Sequence, residues 1–98
     1  MSLASAIFIP KKVVIRMELK ETIELMQSDD YKDRFKAEYY QVKTRLEKLE
    51  AMLDKWDKGE LDFTPTCPRM IYDGQVQAMS DYCSALIARA AMEHIVIE

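Results

Sequence analysis

This chain has little to break a helix and little to do chemistry with. Two glycines and three prolines in 98 residues disfavour an all-strand fold, which needs many tight turns. The single histidine, His94, lies near the C-terminus. A helix end there is a poor platform for a catalytic triad, and a cation beside a helix C-terminus is the plainer role. No HExxH, CxxC, glycine-rich phosphate loop or GxSxG occurs. No Glu-x-x-His pair marks a bundle metal site. Catalytic residues, metal and cofactor are therefore expected to be absent, and the chain is not expected to be an enzyme. Cysteine is scarce too: Cys67 and Cys83 lack metal-site spacing. On one helix they would stand about 24 Å apart, beyond the ~7 Å reach of a disulfide. That points to a reducing compartment. Cys67, beside Pro68, reads as a cap or a packed thiol, against the alternative of a thiol activated at a helix start.

Long apolar runs are also missing. None approaches the roughly 18 residues of a membrane span. Ala4 to Ile9 is too short for a signal peptide, and Lys11 and Lys12 follow the apolar stretch where a signal needs them before it. A cytoplasmic location is expected. The net charge of −3 disfavours nucleic-acid binding by bulk electrostatics.

What the chain does have is a heptad seam. Phe35, Tyr39, Val42, Leu46, Leu49, Leu53 and Trp56 alternate spacings of four and three. That is the a/d pattern of a long helix lying along a second helix. Its matching stripe is Tyr72, Val76, Met79, Cys83, Leu86 and Ala90. The expected fold is all-α, one domain over 17–98: a short N-terminal helix, then a long antiparallel helical hairpin. Helices are expected over 18–27, 30–58 and 68–94. Ser28-Asp29-Asp30 caps the second, and Gly59 stops it. Pro68 is expected at the first position of the third, with Thr66 or Cys67 as its cap. Leu61 and Phe63 alternate with polar residues, so the loop is expected to fold back over the hairpin's end. Residues 1–16 differ in composition and read as an extended arm, with Met17 a candidate native start.

Helix three carries a second apolar stripe, Ile71, Ala78, Tyr82, Ala85 and Met92, with Ile87 beside it. A helix apolar on two faces must bury both. Helix one is expected to cover part of this surface and a second subunit the rest, making a homo-oligomer. Gly74, inside the helix, marks either a close helix approach or a local irregularity.

Residues 31–48 hold six Lys or Arg against three acids, so the segment is +3 in a chain of −3. Tyr31, Arg34, Lys36, Tyr40 and Lys43 are the candidate ligand-binding residues. Lys36, Tyr40 and Lys43 share one helix face, and Tyr31 and Arg34 another. Tyrosines stack on bases, and Lys and Arg hold phosphates. The competing reading is a solvated basic face with tyrosines buried at a subunit contact.

The stretches DYKDRFKAEYYQVKTRLEKLEAML (30–53) and DKGELDFTPTCPRMIYDGQVQAM (57–79) resemble a family of small phage and prophage proteins related to a crAss-like phage protein. DFTPTCP is the most distinctive part. The resemblance implies a helical viral protein, of a family with no known catalytic role. In architecture the chain also looks like the phage sponges that counter bacterial CBASS and Thoeris defence. Those sequester cyclic nucleotides or cyclic ADP-ribose-type signals between subunits. Their hairpins often carry a Gly-Tyr-Arg entry motif, where this chain has Asp30-Tyr31-Lys32. Two functions are therefore carried forward: capture of an anionic nucleotide signal, and a protein-interaction module without a small-molecule ligand.

Overall fold

A computed structural model describes residues 17–97. The expected arm at 1–16 lies outside the described residues. Among those described, every regular element is helical. A 3-10 turn, Leu19–Thr22, runs into the four-residue helix α1, Ile23–Met26. Two long helices follow, α2 (Tyr31–Asp57) and α3 (Arg69–Glu93). The expected first helix over 18–27 is thus only partly α-helical. The long helices begin and end within one residue of expectation.

Asp30 starts α2, its carboxylate accepting from the Lys32 amide at 2.9 Å. Ser28 braces this turn: its hydroxyl donates to Asp33 at 2.8 Å and accepts from the Asp30 amide at 3.0 Å. Gly59 ends α2 at φ 72°, a left-handed position where a Cβ is disfavoured. The amides of Gly59 and Glu60 then reach the carbonyls of Trp56 and Lys55 at 3.0 and 2.8 Å, closing a Schellman turn. At α3 the expectation needs correction. Pro68 is the extended N-cap residue itself, Arg69 is the first helical residue, and neither Thr66 nor Cys67 caps it. A proline makes a side-chain cap impossible there; its contribution is a preset φ of −61°.

The ends of the two long helices meet crosswise. Tyr31, at the start of α2, donates to Glu93 at the end of α3 at 2.9 Å. Asp57, at the end of α2, accepts from Arg69 at the start of α3 at 2.6 Å. Between these ends lies the seam. Phe35, Tyr39, Val42, Cys83, Leu86 and Ala90 are buried together, with Leu46 and Met79 partly buried against them. The chain after α3 completes the cluster. His94 takes a left-handed conformation (φ 59°), and Ile95 drops into the core at 5% exposure. The Ile95 amide bonds to the Ala90 carbonyl at 2.9 Å.

The N-terminal turn packs against α2, on a flank the heptad pattern does not show. Ala37 and Thr44 are buried there. Thr44 donates to the Met17 carbonyl at 2.6 Å. Gln41 donates to the hydroxyl of the buried Thr22 at 2.9 Å, and that hydroxyl donates to the Leu19 carbonyl at 2.7 Å. Each buried threonine is therefore satisfied. The expected cover for the second stripe of α3 is not supplied: the turn and α1 contact α2 but not α3. Nor does Phe63 fold back fully; it stays exposed while Leu61 is half-buried.

Two substitutions check this account. Leu86→Ala empties the most enclosed seam position and should cost about 2–5 kcal/mol. Asp30→Ala removes the cap of α2 and should cost about 1 kcal/mol. Urea denaturation followed by circular dichroism reads both.

Candidate functional site

The five candidate residues occupy the first half of α2, and the helix divides them between two sides of the seam. Tyr31 and Arg34 lie on one side, Lys36, Tyr40 and Lys43 on the other. Five residues in one stretch of sequence thus make two surfaces.

On the first side the groups are already engaged with the fold. The Tyr31 hydroxyl donates to Glu93 and accepts from Arg89 at 2.6 Å. Its ring stands edge-on to Phe35, centroids 6.3 Å apart. The Arg89 guanidinium lies over the Phe35 ring at 4.8 Å, a cation–π contact. Arg34 donates to the Ser28 carbonyl at 2.7 Å, fastening the turn before its own helix. Lys32 reaches the His94 carbonyl at 3.4 Å, so its charge sits at the negative end of α3. Tyr82 donates to Glu38, and this hydrogen bond to the carboxylate holds the Tyr82 phenol above its ordinary pKa.

Sequence reasoning missed Arg89 and Tyr82 as parts of this end. Arg89 and Tyr82 come from α3 and join it only through the pairing of the two helices. A signal was available: setting the two apolar stripes against each other end to end brings Arg89 level with Phe35.

On the second side, Lys36, Tyr40 and Lys43 follow at spacings of four and three and are all half-buried. The Tyr40 ring stands edge-on to Tyr39 with centroids 5.4 Å apart, and partly packs on the core. The Lys43 ammonium lies 5.7 Å from the centre of the Tyr39 ring. Glu47 stands one turn beyond Lys43 on the same face. The loop end of the two long helices differs. There Arg69 bonds Asp57 and Asp73 and covers Trp56 at 5.2 Å. The Arg69 hydrogen bond holds the Asp57 carboxyl below its usual range. Lys58 pairs with Asp54 at 3.1 Å and Lys48 with Glu18 at 3.3 Å.

Two open hollows lie away from this stretch. One, about 310 Å³, is bordered by Asp54, Asp57, Arg69 and Asp73; the other, about 320 Å³, by Lys48, Met52, Lys55, Leu61 and Phe63. No cluster of three or more metal-ligating side chains occurs among the described residues. No described helix is long and apolar enough to cross a membrane. Both thiols are free; burial raises the pKa of Cys83, so it is protonated at neutral pH.

The family model described as Sequestin matches residues 29–92, well over half of the chain. The chain belongs to the Sequestin family, whose name suggests a sequestering function. No curated protein and no solved structure matches it. The matched span begins just before the cap of α2 and ends one residue short of the end of α3. It therefore holds both sides of the basic end and the whole seam.

The thiols offer a check on the packing at this end. Alkylation of the native protein at neutral pH should modify the half-buried Cys67 first and leave Cys83 unmodified until the chain unfolds. Mass spectrometry of quenched time points reads this. Equal rates in the native state would mean that Cys83 is not held in the seam.

Proposed function

We propose that this protein is a non-enzymatic sponge: an antiparallel hairpin that oligomerises and holds an anionic nucleotide signal at its subunit boundaries. The ligand class is a cyclic nucleotide or a cyclic ADP-ribose-type molecule. The setting is the cytoplasm of a bacterial host, where a phage protein of this kind would remove the signal and so block antiviral defence. Lys36 and Lys43 would hold phosphate, with Tyr40 between them as the aromatic surface. Tyr31 and Arg34 would contribute from the other side of the helix.

One observation carries this reading. Lys36 and Lys43 flank an aromatic residue, Tyr40, on one helix face, and all three are half-buried. Seven residues of helix separate them by about 10 Å, a span suited to a ligand with more than one phosphate. Membership of a family named for sequestration supports the same reading. The likeness of the 30–53 and 57–79 stretches to phage proteins supports the viral setting. A second reading, a module that docks another protein, draws on a different observation: the outward apolar residues of α3.

Thermal denaturation with a panel of cyclic oligonucleotides and cyclic ADP-ribose isomers separates the two. A ligand at 100 times its Kd should stabilise the protein by about 2.7 kcal/mol. Lys36→Ala, Lys43→Ala and Arg34→Ala should abolish the shift with helix content unchanged. No shift across the panel favours the docking module; a shift that survives all three substitutions discards this site.

A further inference from the structure

We infer that the hollow at the loop end of α2 is the seat of this chain's own N-terminal segment: Val13 and Ile15 enter it, and Lys11 and Lys12 meet Glu60 and Asp62. The inference is independent of the ligand reading above.

One stripe of α2 runs under the N-terminal turn and continues past it. Ala37, Gln41, Thr44, Lys48, Ala51 and Lys55 alternate spacings of four and three, so they share a helix face. The first part of that face is covered, and Ala37 and Thr44 are buried. Past Lys48 the cover stops, and Ala51 and Lys55 are exposed. There the stripe enters the hollow of about 320 Å³, which Met52, Leu61 and Phe63 also line. Phe63 stands 53% exposed beside it.

The chain's own path says what covers the rest. It runs along this face antiparallel to α2. Ser28 bonds Asp33, Thr22 accepts from Gln41, and Glu18 pairs with Lys48 at 3.3 Å. Followed backwards from Ser28 to Glu18, the chain therefore moves toward the C-terminal end of α2. Met17 is fixed beside Thr44, which donates to its carbonyl. Lys48 is both the partner of Glu18 and a lining residue of the hollow. The segment before Met17 thus starts at the rim of the hollow and is directed into it.

Reach and chemistry agree with that seat. From Thr44 to Lys55 is about 16 Å of helix, which about five extended residues span. Five residues back from Met17 is Lys12. In an extended segment Val13 and Ile15 share one side and Val14 takes the other. Two β-branched side chains then meet Ala51, Met52, Leu61 and Phe63. Residues 1–16 carry Lys11, Lys12 and Arg16 and no acid. The hollow is lined by Glu60 and Asp62 on the acidic side and by Lys48 and Lys55 on the basic side. Lys48 is already paired with Glu18, so the lining keeps an excess of acid for the two arriving lysines.

Carbodiimide cross-linking of the full chain, read by mass spectrometry, tests this, because it joins an amine to a carboxylate that it touches. Lys11 or Lys12 should couple to Glu60 or Asp62 within one chain, at a yield unchanged by dilution. Trypsin gives a second reading, since proteolysis follows the population of the open form. Cleavage after Lys12 and Arg16 should be slow in the unaltered chain. Ala51→Arg narrows the hollow and repels the segment; it should speed both cuts roughly tenfold or more, with helix content unchanged. Ile15→Ser should act in the same direction, and Val14→Ser, on the other side of the segment, should not. Absence of the cross-links, or trypsin cutting the unaltered chain as fast as the Ala51→Arg variant, would overturn the inference. Cross-links formed only between chains and lost on dilution would give the hollow to another copy's segment and overturn it as well.

Discussion

A pair of helices has one seam, and everything else in this chain follows from how little that seam can bury. Phe35, Tyr39 and Val42 meet Cys83, Leu86 and Ala90 along it, and that cluster is nearly the whole core. Toward the loop the same stripe thins out: Leu53 is buried, but Leu49, Trp56, Tyr72 and Val76 are only half-buried. Two layers of helix cannot enclose more. The chain adds cover from its ends. Ile95 turns back into the cluster through His94, and the N-terminal turn covers Ala37 and Thr44 on the flank of α2. The flank of α3 receives neither, so its apolar residues remain outside.

The two ends of the seam are closed in different ways. At the loop end Arg69 joins Asp57, Asp73 and the Trp56 ring, and the Trp56 and Tyr72 rings meet edge-on at 5.9 Å. Charges there are neutralised in place. At the other end the contacts are hydrogen bonds from cations to carbonyls and to a phenol: Arg34 to Ser28, Lys32 to His94, Arg89 to Tyr31. A carbonyl or a phenol fixes the direction of a cation without removing its charge. Arg89 there has a carboxylate as well, Glu93 at 3.4 Å. The fold therefore orders positive groups at one end and leaves most of their charge in force.

Much of this was legible in sequence because it depends on local pattern. The heptad spacing from Phe35 to Trp56 and the cap signals at Asp30 and Gly59 located both long helices. The flank at Ala37, Gln41 and Thr44 was not legible, because its partners are a backbone carbonyl, a threonine hydroxyl and a methionine sulfur, and hydrophobic periodicity does not register them. The first helix was overestimated for a related reason. Leu19, Ile23 and Met26 carry helical spacing, but the turn is held by the Thr22 hydroxyl and by Glu18 and Glu21 bonding each other's backbone. The left-handed bend at His94 had no glycine to announce it. Of the candidate site, the residues on α2 were legible from charge and aromatic spacing. Arg89 and Tyr82 were not, since only the pairing of α2 with α3 brings them in.

The structure also ranks the candidate cations. Lys32 and Arg34 stand in the first turn of α2, where the positive end of the helix disfavours a cation by a few tenths of a kcal/mol. Each nevertheless has a structural task, one on the end of α3 and one on the turn before α2. Their presence needs no ligand to explain it. Lys36 and Lys43 are different. Their stems are half-buried and they flank Tyr40. Two cations on one face repel each other, and Lys43 gains the contact with the Tyr39 ring. Departures from local consistency that the fold does not repay are expected at functional sites. The side of α2 that bears Lys36, Tyr40 and Lys43 is therefore the better half of the candidate site, and the Tyr31 side is the better half of the scaffold.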